Sequence, residues 1–181
     1  AKEAAASPRE LPLLIVADGQ TAGRGRGTNR WWTGSGSLAI SLLADPATWR
    51  IDPRQHAAGL SLAAARAVAE TVNTRLLGEL QAEVRAPNDV YVGGRKVAGI
   101  LIEGLACGLL VIGIGLNMNN TMADAPAELR DGITTLRDLL GRAVDPTELL
   151  IELLARLDAA LGSVAESGRH RACDCRSGPP S

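Results

Sequence analysis

The sequence has no phenylalanine and only three tryptophans and one tyrosine. A core must therefore be assembled from leucine, isoleucine, valine and alanine, and each aromatic side chain marks a position to account for. Three cysteines in 181 residues are too few for a disulfide framework. Cys107, beside an apolar run, reads as a small buried hydrophobe. Cys173 and Cys175 form a C-x-C without further His or Cys at ligand spacing, a weak metal signal. Charge of either sign is not in excess: 19 basic and 20 acidic residues leave a net charge of −1. That balance argues against a general nucleic-acid or membrane-surface binder. Long apolar runs are missing too. The longest, 109–114, falls far short of the roughly 20 residues a bilayer span requires, and the opening segment lacks the apolar centre of a signal peptide. A reducing, cytoplasmic setting is the expectation.

What the chain does have is 46% hydrophobic residues, enough for one domain that buries roughly 70% of its unfolded surface. The apolar run 13–17 reads as a buried strand, and 37–43 as a second. Pro53 opens an Ala-rich helix to about residue 77, with Leu60, Ala64, Val68 and Val72 on one face. Strands follow at 83–86, 89–92, 96–103 and 109–116. Gly93-Gly94 between two of them signals a hairpin, because a type I′ turn needs positive φ at both central residues. A short helix covers 134–140. Asp145-Pro146-Thr147-Glu148 then starts a last helix, which runs to about 165 and stops near Gly168. Residues 169–181 read as a disordered tail. Hairpin-linked strands between helical segments predict an α+β domain, a mixed or antiparallel sheet with helices on one side.

Three segments can carry chemistry. The stretch 19–36 holds six glycines, three arginines and two adjacent tryptophans, and within it Gly23-Arg24-Gly25-Arg26-Gly27 follows a strand. Such a loop lets backbone approach a polyphosphate while guanidinium forks neutralise it; the alternative is a solvated basic loop. It is neither a P-loop nor a Rossmann turn. In the second segment, Pro87 places Asn88 and Asp89 at a kink. Across the hairpin Asp89 can approach Lys96, which is either an edge-strand guard or a buried cation with a function. Gly99, inside that strand, marks a close approach of ligand or backbone. In the third, Gly113-Ile114-Gly115-Leu116-Asn117 bares one face of a strand. The amide of Asn117 either reads a purine edge or simply exits the strand.

The Gly-Arg-Gly-Arg loop, Pro-Asn-Asp followed by Arg-Lys-Val-Ala-Gly-Ile-Leu-Ile-Glu, and the Ile-Gly-Ile-Gly-Leu-Asn run together resemble biotin–protein ligases in order and spacing, over roughly residues 13–165. The resemblance implies a class II aminoacyl-tRNA-synthetase-like catalytic domain of the biotin/lipoate ligase type. It also implies ATP-dependent formation of biotinyl-5′-AMP and transfer of biotin to a lysine of a biotin carboxyl carrier protein, as in acetyl-CoA carboxylase. Lipoate ligases and octanoyltransferases share the architecture, and a degenerate, non-catalytic nucleotide binder is a further alternative. The intact arginine loop and Arg-Lys-Val-Ala-Gly favour biotin.

By resemblance, Gln20 and Gly23 border the biotin head group, and Arg24 and Arg26 belong to the loop that closes over the adenylate. Lys96 lies between carboxylate and α-phosphate, and Gly99 and Leu101 let backbone reach the biotin ring. Trp31 packs on the adenine side, and Asn88 and Asn117 contact the adenylate. Asp89 helps to hold Mg²⁺ or orients the acceptor lysine. Three departures from the family pattern stand out: no Ser-Thr-Asn strand at the start, Arg85-Ala86 where Lys-Trp is usual, and no small β-barrel after the catalytic domain. The expected organisation is a catalytic domain at 1–168 lacking its first strand, then the tail at 169–181. A homodimer is compatible with the family, while nucleic-acid and membrane partners are not expected.

Overall fold

The structure, a computed structural model, describes Lys2 and residues 10–173, with side chains of the last helix described as far as Val164. Six strands form one sheet: β1 (Leu13–Ala17), β2 (Leu38–Ala44), β3 (Ala82–Arg85), β4 (Asp89–Val92), β5 (Arg95–Gly104) and β6 (Leu110–Leu116). Their order is β1-β2-β6-β5-β4-β3, and every pairing is antiparallel. Among the described residues three α-helices accompany them: α1 (Pro53–Asn73), α2 (Leu136–Leu140) and α3 (Pro146–Cys173).

Alternation decides which face meets the helices. Leu38, Ile40 and Leu42 pair with Leu116, Ile114 and Ile112, which in turn pair with Ala98, Ile100 and Ile102. These rows belong to one apolar cluster with Leu60, Ala64, Val68 and Val72 of α1 and Leu149, Leu153, Leu157 and Leu161 of α3. Both helices repeat their buried residues every four positions, the stripe that a 3.6-residue period keeps on one side. α1 lies against β3, β4 and β5, and α3 against α1. Half of the buried residues of α1 are alanine, small side chains that let the layers approach closely.

Boundaries moved where a side chain captured a backbone group. α1 ends at Asn73 instead of near 77, because Asn73 Oδ1 accepts from the Ala82 amide at 2.7 Å and so ties the helix end to the start of β3. α2 begins at Leu136 because the Thr134 amide is spent on the Lys96 carbonyl (2.9 Å), and Thr135 Oγ1 caps the helix through the Asp138 amide (3.0 Å). The last helix does not stop near Gly168: its backbone continues to Cys173. A glycine inside a helix costs about 1 kcal/mol, too little to end one of this length. Residues 174–181, with Cys175, lie outside the described residues. Cys107 is not buried either. It sits in the tight β5–β6 turn closed by bonds between Leu105 and Leu109 (2.8 Å) and from Gly108 to Leu105 (3.0 Å), which projects it into solvent.

Asp145 starts α3 as expected, its Oδ1 accepting from the amides of Thr147 (2.8 Å) and Glu148 (3.0 Å). Asp145→Ala is expected to lower stability by about 1 kcal/mol, read as a reduced urea midpoint with an unchanged slope.

Candidate active site

Among the described residues no helix covers the second face of the sheet, and its middle is unusually bare. On it Ser41 pairs with Gly113 and Gly113 with Leu101, while Ala39 pairs with Gly115, Gly115 with Gly99 and Gly99 with Asp89. Two strands side by side thus contribute three glycines to adjoining positions. The result is a trough with a backbone floor.

The glycine–arginine loop folds over this trough. It closes on itself: Trp31 donates its amide to Gly23 (3.0 Å), Gly25 to Asn29 (2.8 Å) and Asn29 to Arg26 (3.1 Å). Gly23 is buried at the base of this small hairpin, where a side chain would run into the Trp31 carbonyl. The Trp31 indole then drops onto the sheet. A Cβ at Gly115 would overlap the indole, and one at Gly99 would lie 3.1 Å from Trp31 Cζ3 and 3.4 Å from Lys96 Nζ. The bare faces of Gly99 and Gly115 therefore seat the indole in this structure. The open floor is at Gly113 and Leu101. The buried Trp31 Nε1 has no hydrogen-bond partner among the described residues.

Lys96 reaches this face through a β-bulge. Asp89 and Val90 pair with Gly99 and Ala98, but Tyr91 pairs with Lys96, so Val97 is the extra residue. In an unbroken strand, Lys96 would share the helix-side parity of Ala98 and Ile100. The bulge turns it to the other face, a role bulges commonly have beside functional sites. The backbone there is well held: Lys96 donates to Gly132 (2.9 Å) and accepts from Thr134 (2.9 Å), and the Val97 carbonyl accepts from the Asn117 amide (2.8 Å). β5 lies inside the sheet, between β6 and β4, so Lys96 does not guard an edge. Its ammonium is 2.7 Å from Asp89 Oδ1, with both side chains about a quarter exposed, and 5.6 Å from the centre of the Trp31 ring.

Asn88 sits in the β3–β4 turn and is laced to β5, with Nδ2 donating to the Ile100 carbonyl (2.8 Å) and the Ile100 amide donating back to its own carbonyl (2.9 Å). Its Oδ1 meets Arg26 Nη1 at 3.5 Å. Gln20 Oε1 accepts from Thr33 Oγ1 (2.9 Å) across the loop base. All the site residues expected from the sequence, apart from Gly23 and Asn117, line one cavity of about 570 Å³. Asn117 is 1% exposed, and its Oδ1 accepts from Asn120 (3.3 Å). It is placed to buttress the bulge, away from the cavity wall.

Sequence reasoning missed Glu103. It lies on the same face as Gly99 and Leu101, lines the cavity and takes a forked ion pair from Arg24, with Nη2 at 2.5 Å from Oε2 and Nη1 at 3.3 Å from Oε1. Lys2 Nζ adds a third contact at 2.7 Å. Burial alone would push the Glu103 carboxyl upward, but the hydrogen bonds and charges of Lys2 and Arg24 outweigh it and hold the carboxyl below the usual carboxylate range. Alternation along β5 was the available signal, since residues 99, 101 and 103 share parity.

Comparison with known proteins locates this geometry. The sequence profile described as the biotin/lipoate A/B protein ligase family matches residues 2–119. The chain is 35% identical over 146 residues to a bifunctional ligase/repressor BirA of Bacillus spizizenii, covering 78% of this chain and 43% of that protein. It is also 35% identical over 166 residues to a biotin–[acetyl-CoA-carboxylase] ligase of Mycobacterium tuberculosis, covering 91% and 59%. Among solved structures, it is similar to a biotin protein ligase from Aquifex aeolicus in complex with biotin and ATP, with a TM-score of 0.76 and 31% identity over 91% of this chain and 67% of that one. The chain therefore spans less than half the length of the first of these relatives (43%).

Proposed function

From the membership of this chain in the biotin/lipoate A/B protein ligase family, we propose that it acts as an ATP-dependent biotin–protein ligase. Biotin would be activated as biotinyl-5′-AMP and passed to a lysine of a biotin carboxyl carrier protein. The observation that carries this reading is the convergence of Lys96, Arg26 and Asp89 on a glycine-floored trough on the face of the sheet away from α1 and α3. A carboxylate oxygen has to attack the α-phosphate while the bond to the β-phosphate breaks. Both reactants are anions, so a cation held between them does most where the attacking and leaving charges develop. Lys96, a compact charge on a flexible stem, suits that place. In the second half of the reaction, the amine of the acceptor lysine attacks the acyl carbon and AMP leaves.

Asp89 fixes the resting position of Lys96. As a resident Mg²⁺ site it fits poorly, being one carboxylate already paired with Lys96, and no group of three His, Cys, Asp or Glu among the described residues could hold a metal. Magnesium therefore enters as a companion of the ATP phosphates, part of the substrate. Of the two roles implied by resemblance, orientation of the acceptor amine is the one that suits Asp89. No helix among the described residues is long and apolar enough to cross a membrane.

The direct test is incubation with ATP and radiolabelled biotin, with lipoate in a parallel reaction. Biotinyl-adenylate and pyrophosphate are the expected products. Lipoyl-adenylate in their place would reassign the acid substrate. Calorimetry that registers ATP but no biotin would reduce the chain to a nucleotide-binding module.

A further inference from the structure

Glu103 and Lys96 occupy opposite ends of the trough. Gly99, beside Lys96, and Glu103 are four residues apart on β5, about 13 Å at the strand rise of about 3.3 Å per residue. Between them lies the open floor of Leu101 and Gly113. The loop above rests on two supports: the Trp31 indole on the glycines and the Arg24 fork on Glu103. The two arginines therefore differ. Both terminal guanidinium nitrogens of Arg24 are engaged by a carboxylate, whereas among the described residues the Arg26 side chain makes only the 3.5 Å contact to Asn88.

We propose that Glu103 is a positioning residue which, by holding Arg24, fixes the loop over the end of the trough farthest from Lys96. Arg24 then acts as a latch, while Arg26 supplies free positive charge toward the phosphates. The argument rests on the biotin-ligase reading in taking the far end as the place for the unreactive end of the acid substrate. The latch itself rests only on the geometry. A carboxylate lining an anion site would repel its ligand if it were bare. Paired with Arg24 and Lys2 it leaves no net negative charge at that end. An arginine fork is needed, because lysine cannot bind both carboxylate oxygens in one plane.

The test uses Glu103→Gln and Arg24→Gln in the full chain, each checked by circular dichroism, and the double variant. Because the pair is partly exposed, trypsin cleavage after Arg26 and Arg30 is expected to rise by about threefold to fivefold in each single variant. The KM for biotin is expected to rise about threefold to tenfold in both, while kcat for adenylate formation stays within about twofold in Glu103→Gln, the signature of lost ground-state binding. The double variant should be no worse than either single one, as for residues that act as a pair. Unchanged cleavage in both single variants, tighter biotin binding in Glu103→Gln, a loss confined to kcat, or additive losses would each overturn the proposal. If the wild-type chain makes no biotinyl-adenylate but both variants expose the loop to trypsin, the ligase reading fails and the latch stands.

Discussion

Replacing Lys96 with methionine is expected to slow biotinyl-adenylate formation by about 10²–10³-fold, the cost of removing one preorganised charge from a reacting centre, about 3–4 kcal/mol. Methionine keeps an unbranched stem of similar length, so the change is chiefly electrostatic. It also strips Asp89 of its partner, since Asp89 Oδ1 meets the ammonium at 2.7 Å. Asp89 retains a share of solvent contact, which keeps the fold intact, but its bare carboxylate would add repulsion toward the phosphates. The double variant Lys96→Met with Asp89→Asn separates the two effects by removing that repulsion. Pyrophosphate release in a single turnover gives the rate, and calorimetry gives biotin affinity. A large fall in rate with little change in affinity is the expected pattern. Near wild-type turnover in Lys96→Met would place the chemistry elsewhere.

Gly115→Val should be nearly as damaging by a steric route. Valine is welcome in a strand interior, and the helix-side core at Ile112 and Ile114 faces away from it. Its side chain, however, claims the space of Trp31 Cε2, Nε1 and Cζ2, so the indole must leave and the loop with it. Overpacking of this kind costs about 1–3 kcal/mol, here expressed as a loss of biotin affinity of up to about 100-fold. Two milder glycine changes calibrate it. At Gly99 an added methyl group meets mostly the movable end of Lys96 and the rim of the indole, so Gly99→Ala should weaken binding only slightly. At Gly113 the nearest atom is the Leu101 carbonyl oxygen at 3.4 Å, ordinary contact, so Gly113→Ala leaves the loop seated and raises only the open floor. Calorimetry with biotin alongside thermal melts distinguishes the three, and wild-type affinity in Gly115→Val would dismiss the indole seat as part of the site.

Much of this molecule can be read in its sequence because its signals are short-range. Leu60, Ala64, Val68 and Val72 announce a helix by spacing, Gly93 and Gly94 a turn by their freedom at positive φ (56° and 78°), and Asp145 a helix start by its side chain. Most of the site residues that motif resemblance named line the trough, and the fold explains why they meet: the loop between β1 and β2 lies over Gly99 of β5 and Gly115 of β6. What resisted reading depends on pairing. Lys96 has the parity of the core, and only the extra residue Val97 in β5 moves it to the other face. Nothing local to 95–98 announces that insertion. Glu103 seemed the end of an apolar strand until Arg24 was found beside it. Asn117 carries an amide suited to a purine edge, and only the fold shows its backbone tied to Val97 and its side chain to Asn120. Cys107 followed an apolar segment in the chain but occupies the turn before the next strand.

The parity of the central strands has a practical consequence. Ile40, Leu42, Ala98, Ile100, Ile112 and Ile114 secure the helices, whereas Ser41, Leu101 and Gly113, one step along the same strands, line the trough that the proposed reaction assigns to the acid. Stability and substrate choice are thus written in alternating letters of the same three segments. On the proposed ligase reading, randomising only those odd letters is expected to alter the choice of acid with little change in melting point.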